Sequence, residues 1–355
     1  MRYKRSMRSR RILVALVIVV GSAVLLRLAL PTIVVWYVNR TLDRIPGYDA
    51  SIERVELSLI RGAYVIRGAR LDKIGGRVPL PLFSARVTYL SVEWEALMEG
   101  KLVGKIELED GSLNFVNGRT QEDKQLSVNT EWLEVIKGLF PLRFNRFGIK
   151  NFEIRYRDPH SSPPVDVTIS KVRAEGRNFS NTRRSTEALN ATVQGLGLIE
   201  QHAPLVVNAV VAPSHTKPTF KLNASLEKLP LKLLNDLFKA YGSFDVERGS
   251  GDFYLWIEAD HGYIKGTLKP LLHDVEILNP ERDTESLLST LWESLVAAAA
   301  DVFENKSSKQ IGSVIPFEGS EADIKENMWA AIVELVRNAF FKALKPGLSE
   351  GEKER

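Results

Sequence analysis

The sequence predicts a mainly β fold with helical segments near both ends of the chain. Three observations lead to this prediction: an apolar stretch close to the N-terminus, alternation of apolar and polar residues up to residue 260, and helical periodicity from residue 284. The chain has 355 residues and 44% apolar content, enough to bury one large core or two ordinary ones. We predict an N-terminal transmembrane helix, a mainly antiparallel sheet of about 10 to 14 strands and two C-terminal amphipathic helices.

The N-terminal segment is typical of a membrane anchor. Six cations precede residue 12, and residues 12–38 carry a single charge, Arg27. A helix over these positions would be about 40 Å long, more than the roughly 30 Å hydrocarbon core requires. We predict a single-pass anchor with the basic tail in the cytoplasm and the bulk of the chain across the membrane; for a bacterial inner membrane, that side is the periplasm. A cleaved secretory signal is the alternative, because it also combines a basic start with an apolar run.

Period-two alternation predicts the strands, since it places every second side chain on one face. The apolar face of these strands is the candidate ligand-binding surface, and its predicted members are Val55, Leu57, Leu59, Ile106, Leu108, Leu113, Phe115, Phe152, Ile154, Tyr156, Leu255 and Ile257. Asp110-Gly111, Asn117-Gly118 and His261-Gly262 have turn chemistry and predict hairpins. The expected result is a sheet with one apolar and one polar face.

Helical patterns are of two kinds. Short insertions are predicted at 94–99, 130–140 and 231–241, the last opened by Pro230 and closed by Gly242. Two amphipathic helices follow from apolar residues at helical spacing, namely Leu287, Leu288, Leu291, Trp292, Leu295 and Ala299, then Ile324, Met328, Ile332, Leu335, Val336 and Phe340. These helices either cover the sheet and each other or hold a partner.

The predicted organisation therefore has five segments. They are a basic cytoplasmic tail at 1–11, the anchor and its interfacial extension at 12–38, a periplasmic β-rich domain at 39–280, a helical segment at 281–345 and a disordered charged tail at 346–355. The formal net charge is +4, and without the six N-terminal cations it is −2. The body is thus not basic, and we expect no nucleic-acid partner.

Candidate catalytic and metal-binding groups are sparse. The chain has no cysteine, which excludes disulfides, thiolate metal sites and cysteine nucleophiles. Its five histidines lack metal-ligand spacing, and no phosphate-binding glycine motif is complete. Glu107 and Glu109 alternate with Ile106 and Leu108, so we expect them on a solvated face and not in a site that shifts their pKa. We predict no enzyme and no cofactor; a hydrolase using Glu107 and Glu109 is a minor alternative.

Longer ordered motifs carry a family resemblance. These are residues 37–73, YVNRTLDRIPGYDASIERVELSLIRGAYVIRGARLDK, residues 81–104, PLFSARVTYLSVEWEALMEGKLVG, and residues 112–118, SLNFVNG, followed late in the chain by residues 251–277 and 315–320. Together they resemble an AsmA-like bacterial family described as a domain of unknown function (DUF seven-four-eight). The resemblance covers most of residues 12–345 and implies an elongated, curved, groove-forming sheet, periplasmic location and a part in lipid transport or outer-membrane assembly. It carries over no functional side chains.

The leading functional hypothesis is that the curved sheet shelters an apolar ligand. The acyl chains of phospholipids are the expected ligand, and envelope lipid transport or outer-membrane biogenesis is the expected role. The alternative is an envelope scaffold that binds no lipid and docks a protein partner through its C-terminal helices. The alternation pattern does not distinguish an open groove from a closed core, because both structures bury one face of each strand.

Overall fold

The structure is a computed structural model that describes a series of segments separated by gaps. The described residues are 14–18, 20–22, 29, 31–33, 35, 36, 39, 40, 47–58, 63–75, 78–92, 103–120, 125, 143–179, 191–212, 217, 219–242, 244–278, 302–305 and 310–320. They include almost all of the region in which alternation predicts strands.

Strands dominate the described segments. Fifteen are present there: β1 Tyr48–Ser51, β2 Arg54–Ser58, β3 Ala63–Lys73, β4 Phe83–Val92, β5 Val103–Val116, β6 Arg143–Asp158, β7 Val165–Arg177, β8 Ala191–Ile199, β9 Ala203–Val211, β10 Phe220–Pro230, β11 Asp245–Asp260, β12 Tyr263–Leu278, β13 Val302–Asn305, β14 Gln310–Ser313 and β15 Ile315–Ser320. Between β10 and β11 lie a 3-10 turn, Leu231–Leu234, and helix α1, Asn235–Gly242.

All fifteen strands belong to one sheet. Its order is β1-β3-β4-β5-β6-β7-β8-β9-β10-β11-β12-β14-β13, with β2 also pairing β3 and β15 also pairing β12. Neighbours are antiparallel except β5 and β6, which are parallel. The prediction of a mainly antiparallel sheet is confirmed, but the fifteen strands exceed the expected 10 to 14. A parallel pair needs a crossover connection, which here runs between residues 116 and 143.

The helical part of the fold prediction needs correction. Among the described residues, no helix has both the length and the apolar content to cross a membrane, whereas a transmembrane helix is predicted over 12–38. In the predicted helical segment at 281–345, strands β13, β14 and β15 join the main sheet. The two C-terminal amphipathic helices themselves lie outside the described residues, as do the tails at 1–11 and 346–355 and the insertions at 94–99 and 130–140.

The N-terminal residues that the structure describes are helical, and their end contacts the first strands. The side-chain amide of Asn39 donates to the backbone carbonyl of Ile52 at 3.0 Å, and its oxygen accepts the Ile52 N–H at 2.8 Å. Val35 packs against the cluster that contains Ile52 and Val55. These contacts satisfy backbone groups between β1 and β2 that a free sheet edge would leave without partners.

Several strands contain one residue in the left-handed region, at which the alternation slips by one. On β5 the apolar positions are Ile106 and Leu108 before Asp110, which has φ of 53°, and Leu113 and Phe115 after it. Such phase-slip residues also occur on six of the other strands; they are Gly68, Asn151, Lys171, Lys228, Gly249 and Asp274. Irregular positions of this kind bend and twist strands, so aligned ones on neighbouring strands curve the sheet.

Two of the three predicted hairpin turns are therefore wrong. Asp110 lies inside the continuous strand β5, where its carboxylate bonds the side chains of Arg86 and Asn151 on the adjacent strands. Asn117 directly follows β5, and its N–H bonds the Arg157 carbonyl of the parallel strand β6. The turn at His261-Gly262 is confirmed, because it joins β11 to β12 and both residues have positive φ, at 50° and 87°.

The third predicted insertion is confirmed and shows how strongly the sheet curves. After Pro230, the 3-10 turn and α1 pack on β11, yet the hydroxyl of Tyr241 on α1 lies 3.1 Å from the hydroxyl of Tyr156 on β6. In a flat sheet β6 and β11 would be about 24 Å apart, while α1 is only about 12 Å long. The sheet must therefore curl toward α1 between these strands.

Candidate functional site: the apolar face of the curved sheet

One face of the sheet carries an unbroken row of small and apolar residues across twelve strands. Following the strand register from β2 to β15, the row is Val55, Ile66, Thr88, Leu108, Ile149, Ala174, Gly195, Val207, Ala224, Leu255, Leu268 and Ile315. At about 4.8 Å between strands, the row is roughly 50 Å long. Its single polar member is Thr88, and we call the surface that contains this row the apolar face.

The register places most of the predicted ligand-binding residues on the apolar face. Val55, Leu108 and Leu255 belong to the row itself; Ile106 and Ile257 belong to the next row on the same face. Beyond the phase-slip positions, the same face continues with Leu113, Phe115, Phe152, Ile154 and Tyr156. Leu57 pairs with Tyr64 on β3, and Leu59 lies outside the described residues. The rest of the row was not predicted individually, although its members on β7, β9 and β10 lie in alternating segments.

Burial along the row is greatest at its two ends. Val55, Ile66 and Thr88 at one end are 2–6% exposed, and Leu268 and Ile315 at the other are 6% and 3% exposed. The seven central members, from Leu108 on β5 to Leu255 on β11, are only half-buried. A closed sandwich buries its central strands most deeply, so this distribution is typical of a face that is open at its centre.

Small residues form the floor of this central section. Ala174, Gly195 and Ala224 lie in the row on β7, β8 and β10, with Val207 between them on β9, and Ala209 occupies the adjacent row. Larger side chains flank them, with Leu108 and Ile149 on one side and Leu255 and Leu268 on the other. The central strands therefore present a shallow trough between higher apolar walls.

Aromatic rings cover several of the glycines on the apolar face. The Phe147 ring lies over Gly176, the Phe152 ring over Gly111, and the Phe317 ring over Gly266. In each case the phenylalanine and the glycine are register partners on adjacent strands. A ring over a cross-strand glycine compensates for the missing side chain and pins the strand register. Gly195 differs, because no atom lies closer than 3.7 Å to the position of a Cβ there.

Helix α1 lies over the apolar face at the rim where β6 ends. Its Phe238 is buried together with Leu231, Val246, Leu268 and Ile315, and stacks on the Phe244 ring at 5.1 Å. The Asn235 side chain fixes the start of the helix by bonding both the N–H and the carbonyl of Val246 at 2.9 Å. One side of α1 is thus packed into the core over β11, β12 and β15.

The other side of α1 reaches a buried carboxylate on β6. The Tyr241 hydroxyl donates to Asp158 at 2.7 Å, and Asp158 also accepts from the Asn117 side chain and from the N–H groups of His160 and Ser161. Burial raises the pKa of Asp158, but these four hydrogen bonds outweigh it and hold the pKa below its ordinary value. Burial, with the Tyr156 hydroxyl and Asp158, raises the pKa of Tyr241 far above its ordinary range, so it remains a donor.

The opposite face of the sheet is mainly polar, and several of its charges are paired. A register row there carries Glu56, Tyr89, Glu107, Glu175, Gln194, Asn208 and Asn223. A cavity of about 590 Å³ lies on this face, and its lining combines charged residues such as Lys105, Glu107, Arg173 and Glu175 with the apolar Leu196 and Val206. The lining mixes both signs of charge, as expected of a solvated β face.

Glu107 and Glu109 lie on this polar face, away from the apolar one. Lys105 and Lys150 contact Glu107 at 2.9 and 3.3 Å, and Lys150 also contacts Glu109 at 3.2 Å. The hydrogen bond from Lys105, aided by Lys150, lowers the pKa of Glu107, whereas a general acid needs a raised pKa. Within the described segments, no group of three or more His, Asp or Glu side chains is arranged to hold a metal ion.

The comparisons with known proteins add no family assignment. No protein-family model matches the chain, and no curated protein matches it either. The resemblance to AsmA-like proteins therefore stays a prediction from the sequence motifs. Asp158 and Tyr241 were not predicted as site residues, and no sequence signal links them, because they are brought together by the curvature of the sheet.

Proposed function

We propose that this protein binds the acyl chains of phospholipids in a groove formed by the apolar face of its curved sheet. The observation that carries the proposal is the burial pattern of the row, whose ends are buried and whose central members are half-buried. Apolar surface left partly exposed along several adjacent strands is stabilised when an apolar ligand covers it. The trough of small residues between Leu108 and Leu255 gives such a ligand room on the central strands.

The acyl chain is favoured over a compact ligand by the shape of the surface. The row crosses strand after strand, so a ligand that follows it makes repeated contacts with methyl and methylene groups and few hydrogen bonds. Thr88, the one polar member, is buried near the end of the row. A flexible hydrocarbon chain meets these conditions, because it needs no polar partners and gains about 0.8 kcal/mol per buried CH₂.

The role that we propose for this binding is lipid handling in a bacterial cell envelope, without catalysis. It rests on the AsmA-like resemblance of the sequence motifs. A fusion of the C-terminus to alkaline phosphatase, which is active only outside the cytoplasm, tests the location. Phosphatase activity in intact cells is expected, and a fusion that is produced but inactive would contradict the periplasmic location.

Lipid identification in the purified protein tests the binding proposal directly. Full-length protein is extracted from bacterial cells in mild detergent and examined by native mass spectrometry, and bound molecules are released and identified. We expect phospholipids or fatty acids to accompany the folded protein and to resist exchange into detergent. A folded protein that carries no lipid and takes up no fluorescent fatty acid would overturn the proposal.

A further inference from the structure

We propose that helix α1 latches one end of the groove and that ligands exchange when the Tyr241 hydroxyl leaves Asp158. The inference rests on the proposed function and names the residues that control access to the same site. Helix α1 lies across the rim formed by the ends of β6 and β11, so a chain that enters or leaves there must pass it. Tyr241 and Asp158 would then be positioning residues that determine how fast the groove opens.

The two sides of α1 are attached by different kinds of contact. Over β11 the helix is held by burial of Leu231 and Phe238 and by the paired hydrogen bonds between Asn235 and Val246. Toward β6 the Tyr241 hydroxyl bonds Asp158 and Tyr156, while α1 also lies against β7 and the Tyr241 ring packs against the core cluster. A hydroxyl can exchange its partner for water, whereas a buried ring leaves its core at a cost of several kcal/mol. The helix is therefore expected to open about its β11 side.

The Asp158 carboxylate keeps its position when the latch opens, because other groups hold it. Asn117 and the N–H groups of His160 and Ser161 still donate to it after Tyr241 has left. The loop after β6 is further held by Ser161, whose hydroxyl contacts the carbonyls of Asp158 and Pro163 at 2.9 and 2.8 Å. After Tyr241 leaves, three donors still bond the Asp158 carboxylate. Opening therefore avoids the free-energy cost of leaving a buried charge without hydrogen-bond partners.

Exchange kinetics of cis-parinaric acid, a fluorescent fatty acid, test the latch in Tyr241→Phe. The substitution keeps the ring but removes the hydroxyl. Because a hydrogen bond to a charged group is lost, we expect about tenfold faster association and dissociation. The equilibrium affinity should change little, because a barrier on the access route affects both rates equally. Unchanged rates in a folded Tyr241→Phe variant would overturn the latch.

Tyr254→Phe is the matched control, since Tyr254 is an exposed tyrosine on the polar face whose hydroxyl contacts Glu227 at 3.5 Å. It should exchange the probe at the wild-type rate, and an equal acceleration in this control would count against a specific latch. Hydrogen exchange provides a second readout that needs no ligand. The amides of residues 235–242 should exchange faster in Tyr241→Phe while those of β11 do not, and equal protection in both proteins would overturn the proposal.

The experiment separates the two proposals. If the wild-type protein does not bind cis-parinaric acid, the proposed function fails. If it binds the probe but Tyr241→Phe changes neither the rates nor the helix protection, the binding function stands and the latch fails.

Discussion

The ring of Phe147 on β6 lies directly over Gly176 on β7, the residue that it faces in the antiparallel pair. The ring fills the space that a Cβ at position 176 would occupy. A glycine and an aromatic residue therefore act as one packing unit on the apolar face. The same relationship holds for Phe152 with Gly111 and for Phe317 with Gly266, so this unit recurs along the sheet.

Gly176→Ala should destabilise the fold, because the added methyl group overlaps the Phe147 ring and the adjacent strands must shift. Overpacking of this kind costs about 1–3 kcal/mol, measurable by urea unfolding. Gly195→Ala is the matched control on the neighbouring strand β8, where the nearest atoms lie 3.7 Å or more from a Cβ. The control should unfold at or above the wild-type midpoint; equal loss in both variants would contradict the packing unit.

Gly195→Phe should reduce fatty-acid binding without unfolding the sheet. The position lies on the floor of the trough, and a phenyl ring there would occupy the volume assigned to an acyl chain. Gln194→Phe places the same ring on the same strand but on the opposite, exposed face. Titration with cis-parinaric acid should show weaker binding for Gly195→Phe alone. Full binding by a folded Gly195→Phe variant would place the ligand elsewhere.

Asp158 should make stability depend on pH. Because its pKa is lowered in the folded state, its contribution is fully present above the ordinary carboxylate pKa of about 4 and is lost as pH falls through the lower folded value. Asp158→Asn should lose about 1–3 kcal/mol at pH 7 and flatten this dependence. Urea unfolding between neutral and acidic pH measures both, with Asp49→Asn at an exposed position as control. A parallel pH curve for Asp158→Asn would refute this account.

The effect of substitutions at Lys171 on stability should depend on whether the new residue tolerates the left-handed backbone conformation, and not on the polarity of its side chain. Its φ is 52°, a left-handed value that costs an L-residue about 1–2 kcal/mol. Lys171→Gly is expected to leave stability unchanged or to raise it, whereas the β-branched Lys171→Val should lower it by at least 1 kcal/mol or so. Thermal unfolding of the two variants provides the comparison. The reverse order of midpoints would show that position 171 does not need a left-handed residue.

Glu107→Gln combined with Glu109→Gln should leave lipid binding intact. Both carboxylates lie on the polar face and pair with lysines at partly exposed positions, where ion pairs contribute about 0–1 kcal/mol. The double variant should therefore bind cis-parinaric acid like the wild type and unfold close to it. Loss of binding in a folded double variant would move the site to the polar face.

The phase-slip residues show why the sequence pattern predicts that strands are present but does not predict where each strand ends. On β5 the apolar residues change from even to odd positions at Asp110, and an Asp-Gly pair at that point is also a hairpin signal. A local pattern cannot separate the two structures, because both need a left-handed residue. What decides between them is whether the chain continues along its neighbours, and the ladders on both sides of β5 keep it extended.

Pairing partners were likewise beyond the reach of the sequence. Alternation indicates which side chains share a face, but not that β6 runs parallel to β5 or that residues 302–320 add strands to the main sheet. Those choices depend on contacts between segments far apart in the chain. They explain why the predicted helical segment at 281–345 is wrong over its central part.

The sequence by itself determined that this chain forms strands with one apolar and one polar face, because side-chain period and hydrophobicity are local properties. It also placed Glu107 and Glu109 on the polar face and a helix after Pro230. Tertiary structure alone decided that the apolar positions form one continuous row with a half-buried centre and that Tyr241 meets Asp158. The physical reason is curvature, which sums small bends over many strands and is encoded in no single segment.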